Sequence, residues 1–402
     1  MPANDEIDYG EGELRAVPGE PSRLEAYLPT ENVQNHAANL LPLKNGDLLC
    51  VWFSGTQEGM ADISVYMSRL KKDSGKWSPA VKLSEDPNRS EQNPVLFPAP
   101  DGKLWLFWTS QQSGNQDTAV VMRRISEDDG LSWGPIEPFL KKPGTFVRQP
   151  IVVLDNGDWL LPVFYCVPVP GKKWVGDKDY SAVLLSSDQG KNWKEIVVPG
   201  SLGCVHMNIV KMDDGSLTAV FRSRWADHVY LTRSADNGRT WDKPIPSGLP
   251  NNNSSVQCTK LANGHLAIVY NNMNAEKCTQ RRASLYDDIE DEGSADPVDA
   301  SAYQAVEAPE AAGKGCTAFW GAPRAPLSIA ISEDDGRTWP YRRDLEVGDG
   351  FCLTNNSKEA KNREYSYPSI KQTPDGNIHV AFTYFRQRIK YVRIDEEWVS
   401  GK

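Results

Sequence analysis

The reactive chemistry of this 402-residue chain is concentrated in a few side-chain types: two histidines, His36 and His206; the run Glu364-Tyr365-Ser366-Tyr367; and a scatter of arginines. A free phenol has a pKa near 10, so Tyr365 or Tyr367 becomes a nucleophile only beside a group that takes its proton, and Glu364 is adjacent in sequence. Imidazoles exchange protons near neutral pH. Arg148, Arg222, Arg224 and Arg386 can grip a carboxylate through paired N–H bonds. Glu58 or Asp62 can protonate a departing oxygen, and the amides of Gln92, Asn93, Gln149, Asn208, Asn252, Asn253 and Asn271 can sort hydroxyls. This set suits cleavage of a C–O bond beside an anionic group. Each member also has a structural alternative: aromatic filler between sheets, rim ion pair, turn cap or hydrogen-bonded core histidine. The residues span positions 36 to 386, so only a fold that gathers distant segments can use them together.

Two repeated marks specify that fold. The pattern Ser-x-Asp-x-Gly-x-x-Trp occurs at Ser126–Trp133, Ser186–Trp193, Ser234–Trp241 and Ser332–Trp339. In it the Asp can bond its own turn, the Gly can take positive φ and the Trp can anchor the turn on a sheet. Hairpin dipeptides stand at Asn45-Gly46, Asp101-Gly102, Asn156-Gly157, Asp214-Gly215, Asn263-Gly264 and Asp375-Gly376 between apolar runs. They recur roughly every fifty to sixty residues, which is the length of a four-stranded propeller blade, and the last gap is about double. The chain is therefore read as all-β: a β-propeller of four-stranded antiparallel blades. An insertion over about 274–323, between strands two and three of blade five, explains the double gap and gives six blades; an unrecognised unit would give seven. Residues 1–24 are read as an N-terminal extension and 25–402 as one propeller domain.

With Asp boxes in a propeller, Asn35-His36-Ala37-Ala38-Asn39 opening blade one, Asn251–Ser254 opening blade five and Tyr365-Ser366-Tyr367-Pro368 opening blade six, the chain resembles the sialidase (neuraminidase) superfamily in its bacterial-neuraminidase-like, Asp-box branch, over about residues 25 to 395. That resemblance implies an exo-acting glycoside hydrolase whose nucleophile is an axial tyrosine at the first strand of the last blade, where Tyr365 and Tyr367 stand, with arginines clamping the carboxylate of the sugar. The chain departs from the family where the first arginine of the triad is expected: His36 occupies that stretch. A His, Tyr and Arg set equally serves β-elimination from a uronate, so a lyase stands as the alternative, and a non-catalytic sugar-binding propeller as a third reading.

Strand parity separates the two ends of the propeller. If first strands start at the upper face, hairpins and Asp boxes lie below and are structural. Chemistry then belongs to first-strand starts, second-to-third loops and blade connections, the segments that carry the residues above. His228, Arg363 and the insertion fall on the same face, so Arg281, Arg282 or Tyr286 is expected to reach the pocket or an oligomer contact. Ser294 to Lys314, rich in Ala, Pro and Glu, reads as a weakly ordered loop.

Composition bounds the partners. A formal charge of −10 disfavours nucleic acid but leaves an acidic sugar open through local arginines. Seven cysteines without a Cys-x-x-Cys pair read as free thiols, neither a disulfide framework nor a zinc site. No phosphate loop or metal-spaced cluster appears, so no organic cofactor and no metal ligand set are expected, with a structural calcium left open. No apolar run suits a membrane span, and the polar start Met1–Gly12 reads as cytoplasmic, or secreted if a leader has been removed. The expected partner is a carbohydrate substrate, acted on by a monomer or homo-oligomer.

Overall fold

The computed structural model describes residues 7–289, 298–313 and 315–401. Its strands form six antiparallel sheets arranged as the blades of a propeller. Blade one comprises Gln34–Pro42, Leu48–Gly55, Ser64–Leu70 and Val81–Lys82; blade two Arg89–Pro98, Leu104–Gln112, Asn115–Ser126 and Glu137–Leu140. In blade three the inner strand is broken into Thr145–Phe146 and Val152–Val153, followed by Trp159–Tyr165, Tyr180–Ser186 and Lys194–Val197. Blade four runs Cys204–Lys211, Leu217–Ser223, His228–Ser234 and Ile245–Pro250; blade five Gln257–Lys260, Leu266–Asn271, Leu327–Ser332 and Tyr341–Glu346. Six blades, not seven, account for the double gap, because the chain between Asn271 and Leu327 leaves blade five and returns to it.

Blade six is closed by the opposite end of the chain. Tyr365–Gln372, Ile378–Tyr384 and Arg388–Ile394 are followed by a short helix, Glu396–Ser400, and the fourth strand is Glu20–Tyr27, paired through Leu24 with Arg393 and Tyr27 with Lys390. The propeller thus begins before residue 25: the N-terminal segment supplies the fourth strand, flanked on its far side by Arg15–Val17, that the chain end, turned into helix by the Asp395 cap on the Trp398 N–H, cannot. Closing a ring with strands from both termini removes the open seam between last and first blades.

The repeat marks take up the expected roles. The six hairpin glycines all have φ between 82° and 90°, a conformation that only Gly adopts without strain. In the Asp box of blade two, the Ser126 hydroxyl donates to Asp128 (2.8 Å) and receives the Gly130 N–H (2.8 Å), while Asp128 also accepts from Ser132 N (2.8 Å). A Cβ on Gly130 would lie 3.3 Å from Leu49 of blade one, and one on Gly238 would lie 2.7 Å from Leu160 of blade three. Each of these turns therefore seats its glycine on the preceding blade, beside that blade's hairpin, which fixes the Asp boxes on the hairpin face. Apolar residues from adjacent blades pack together between the sheets, as with Leu41, Leu49 and Val51 against Leu96, Leu104 and Trp108. Among the described residues no helix is long and apolar enough to cross a membrane.

Candidate active site at the propeller axis

The inner strands do not run straight past the axis. Their ladders shift register between His36 and Asn39, Gln92 and Val95, Val205 and Asn208, and Ser366 and Ser369. At these bulges Ala37, Asn93, His206 and Tyr367 hold φ of 62°, 50°, 57° and 51°. Left-handed backbone at a non-glycine residue is strained by roughly 1–3 kcal/mol and persists where surrounding structure enforces it, often at functional sites. Here it turns buried polar side chains toward one centre.

That centre is Tyr367. Its hydroxyl receives a 2.5 Å hydrogen bond from Arg222 Nη1, its ring lies 4.1 Å from the His36 ring and 5.6 Å from that of His206, and the guanidiniums of Arg148, Arg222 and Arg324 each lie 5.5 Å from its ring centre. Arg222 Nε donates to Asn253 Oδ1 (2.7 Å) and its Nη1 lies 3.4 Å from His206 Nε2. Its Nη2 is buried without a partner among the described residues, as are Arg148 Nη1, His36 Nε2 and His206 Nδ1.

Around this centre runs a chain of ions. Arg324 Nη1 bonds Glu364 Oε1 (2.8 Å), Arg386 Nε lies 3.2 Å from Glu364 Oε2, and Arg386 Nη1 meets Glu58 Oε2 at 2.5 Å. Ser366 and Asn362 complete the shell of Glu364, whose carboxyl burial pushes up but whose two arginines hold well below the usual range. Arg224 makes a separate pair with Asp179 (Nε 2.9 Å, Nη2 2.8 Å), beneath Trp174 and Trp320. All of these groups are buried. Five guanidiniums, those of Arg148, Arg222, Arg224, Arg324 and Arg386, face three carboxylates, those of Glu58, Asp179 and Glu364. Burial lowers Arg148 to about 10 and Arg222 to about 9, so both stay cationic at neutral pH. Burial, reinforced by neighbouring arginines, holds His36 and His206 well below 6.5, so both are neutral. A buried excess of positive charge with unfilled N–H groups is complementary to an anion.

Several expected roles shift. Tyr365 is not axial: its hydroxyl points to Val347 O (3.3 Å), its ring packs on Tyr384 and Phe385, and burial raises its pKa, so it fills the space between blades five and six. Period-two alternation of a regular strand places residues 365 and 367 on one face, and the bulge after Ser366 separates them. Glu364 therefore serves arginines and not Tyr365. Asp62 caps its own loop by accepting from Thr56 N and Oγ1 (both 2.9 Å), whereas Glu58 is drawn inward onto Arg386. Arg148 bonds backbone carbonyls of Ala38, Tyr367 and Pro368 with Nη2, tying blades one, three and six under the centre. Gln149 donates to Val256 O and accepts from Gln257, Asn208 accepts from Cys258 N, Asn252 holds Pro323 O, and Asn271 holds Tyr365 O, all as inter-segment braces. Gln92 turns toward Tyr286. Asn93 is buried at its bulge, Arg363 pairs with Asp349 outside the cluster, and His228 packs edge-on against Tyr230.

The insertion roofs the site. Phe319 O receives Asn253 Nδ2 (2.8 Å), Trp320 lies over Arg222 and Arg224, and Tyr286 is buried against blade two. Arg282 pairs with Asp287 and Asp288 within the insertion, and Arg281 lies over Phe319, so neither reaches the centre. Residues 294–297 and 314 of the expected weakly ordered stretch lie outside the described residues. Two site residues were missed: Arg324, three residues before the start of the third strand of blade five at Leu327, and Asp179, immediately before that of blade three at Tyr180. Both positions fall on the upper face by parity, and that was the available signal. Among the described residues no group of three or more His, Cys, Asp or Glu is placed to hold a metal ion.

The BNR repeat-like domain model matches residues 46–380. No curated protein sequence matches. Among solved structures, a Hadza microbial sialidase superimposes with a TM-score of 0.63 at 14% identity, covering 92% of this chain and 67% of that one. The intramolecular trans-sialidase from Ruminococcus gnavus gives 0.61 at 12%, covering 91% and 95%. A protein from Dyadobacter fermentans described as of unknown function gives 0.64 at 16%, covering 94% and 100%. At these identities the likeness is one of fold.

Proposed function

For a chain that belongs to the BNR repeat-like domain family and shares the six-bladed fold of sialidases, we propose an exo-acting glycosidase of sialidase type that removes a terminal acidic sugar at the propeller axis. The observation that carries this reading is the Tyr367 hydroxyl held at 2.5 Å by Arg222, a cation whose second terminal nitrogen is buried and unfilled. The sugar carboxylate takes up that nitrogen and the open Nη1 of Arg148. Tyr367 attacks the oxocarbenium-like centre, the role in which tyrosine replaces the usual carboxylate in sialidases. Because the carboxylate of Glu364 is engaged by arginines, the proton of Tyr367 passes to a neutral imidazole, His36 or His206, which then returns it to the leaving oxygen; water next attacks the same carbon, gives its proton to that imidazole and displaces the Tyr367 oxygen, which takes the proton back.

One observation favours a second reading. Two neutral imidazoles flank a phenol beside arginines, which also suits β-elimination from a uronate: arginine neutralises the carboxylate, one group removes the C5 proton and another protonates the leaving group. Products separate the two. Acidic glycans are incubated with enzyme in ¹⁸O-water and analysed by mass spectrometry and ultraviolet absorbance. The hydrolase reading expects a saturated monosaccharide carrying solvent ¹⁸O; an ultraviolet-absorbing unsaturated product without ¹⁸O establishes the lyase; binding with no cleavage of any glycan overturns both.

A further inference from the structure

Tyr286, carried by the blade-five insertion, is buried to 1% exposure in a pocket of blade two where three glutamine amides converge on its hydroxyl: Gln116 Nε2 at 3.0 Å, Gln111 Nε2 at 3.2 Å and Gln92 Nε2 at 3.4 Å. Two of these amides also have nearer acceptors, Ser90 Oγ for Gln92 Nε2 (3.0 Å) and Ser113 O for Gln111 Nε2 (2.6 Å), so the phenol is only one of the partners the pocket offers them. Meanwhile Gln92 Oε1 and Gln111 Oε1 are buried with no partner among the described residues, and Gln116 Oε1 is met only by the weak Cys166 thiol donor at 3.4 Å. Buried amides are normally satisfied, and a seat evolved only to anchor one hydroxyl needs one amide. The walls are cut to admit a ring: a Cβ on Gly59 would come within 3.0 Å of Tyr286 Cε1, and one on Gly114 within 3.3 Å of its Cβ. The pocket adjoins the axial cluster through Glu58, next to Gly59 in sequence and paired with Arg386.

We propose that Gln92, Gln111 and Gln116 form a saccharide subsite beside the axis, one that takes a pyranose ring bearing hydroxyls able both to donate and to accept, and that Tyr286 occupies it as a stand-in when the insertion is closed. The proposal rests on the reading of the axis as a sugar site. It explains why the amide oxygens of Gln92 and Gln111 are buried without a partner among the described residues around a single phenol. It also gives the insertion a role: a ligand entering the subsite displaces Tyr286 and frees the roof over Arg222 and Tyr367.

The test uses the full chain and neutral methyl pyranosides (galactoside, glucoside, mannoside, xyloside), followed by ligand-observed NMR and calorimetry. These probes lack a carboxylate, so their binding does not depend on the arginine centre; acidic sugars measured in parallel with Arg222→Ala report on that centre separately. Tyr286→Ala is expected to bind at least one pyranoside ten-fold or more tighter than the unaltered protein, and Tyr286→Ala/Gln111→Leu/Gln116→Leu is expected to lose the gain. Tyr286→Phe, which keeps the ring and its packing, is expected to show a smaller gain in the same direction and serves if the alanine variant does not fold. No gain in either Tyr286 variant, or a gain that survives replacement of the glutamines, overturns the proposal and leaves Tyr286 as an anchor.

Discussion

The two faces of this propeller use the same side chains in opposite ways. On the hairpin face, Asp128 and Asp188 stand in water and draw every hydrogen bond from within their own eight-residue turns, which lowers both carboxyls to about 2. On the axial face, Glu364 is buried and bonded to arginines from blade six and from the end of the blade-five insertion, and Glu58 of blade one closes onto Arg386 of blade six. Local satisfaction yields a motif that repeats; satisfaction across blades yields a centre that occurs once. The first stabilises the scaffold and the second holds charge and strain in a single place, where an anion can be recognised.

Replacing Glu364 by Ala should test that difference most forcefully, because it leaves Arg324 and Arg386 buried against one remaining carboxylate. Removing one partner of a buried ion pair costs about 3–5 kcal/mol, so the urea midpoint should fall by that equivalent. A loss no larger than that of an Asp-box variant would erase the distinction between the faces.

Acid should affect the axis before it affects the turns. His36 and His206 are held neutral in the folded protein and take up protons near 6.5 when unfolded, so their contribution is full above pH 6.5 and is lost as pH falls below it, at about 1.4 kcal/mol per pH unit for each. The Asp-box carboxyls have folded pKa values below the unfolded 3.8, so their contribution persists until pH falls from about 4 toward 2. Unfolding midpoints measured from pH 7.5 to 3.5 should decline already between 6.5 and 5 in the unaltered protein. The decline should flatten in His36→Gln/His206→Gln, and a flat profile in both would count against neutral buried imidazoles.

The smallest effect belongs to a single turn. Asp236 accepts from Ser234 Oγ, Thr240 N and Thr240 Oγ1 at 2.7–2.9 Å, the two bonds from Thr240 at the surface. Asp236→Ala should lower stability by about 1–2 kcal/mol and leave kcat of the folded enzyme unchanged, checked by thermal midpoint and turnover on one preparation.

Legibility in the sequence follows the same division. Asp boxes, hairpin glycines and the blade-five excursion are local patterns, and all appear where the repeat placed them. Parity also put Arg222, Arg224, Arg386, Glu58, His36 and His206 on one face. Finer assignments failed where long-range geometry decides. Tyr365 and Tyr367 exchange roles because a bulge interrupts the alternation between them, and no residue type in Tyr365-Ser366-Tyr367-Pro368 announces a left-handed φ at 367. Arg148 reads as a full carboxylate clamp by type, yet its Nη2 is spent on carbonyls of blades one and six, far away in sequence, and only its Nη1 stays open. The fourth strand of blade six, Glu20–Tyr27, lies at the other end of the chain, and the hairpin that joins it to Arg15–Val17 turns at Pro18-Gly19, outside the Asn-Gly and Asp-Gly series that marks the blades.

The central claim is that chemistry resides in the Tyr367 hydroxyl and not in that of Tyr365. Tyr367→Phe and Tyr365→Phe, each removing one oxygen and preserving a ring, should be compared for kcat and thermal midpoint on the acidic glycan that the product screen identifies. Tyr367→Phe should lose about 10²–10⁴-fold of its turnover, or more, while staying folded, and Tyr365→Phe should keep near-normal turnover. Near-normal kcat in Tyr367→Phe, or the larger loss in Tyr365→Phe, would contradict that claim.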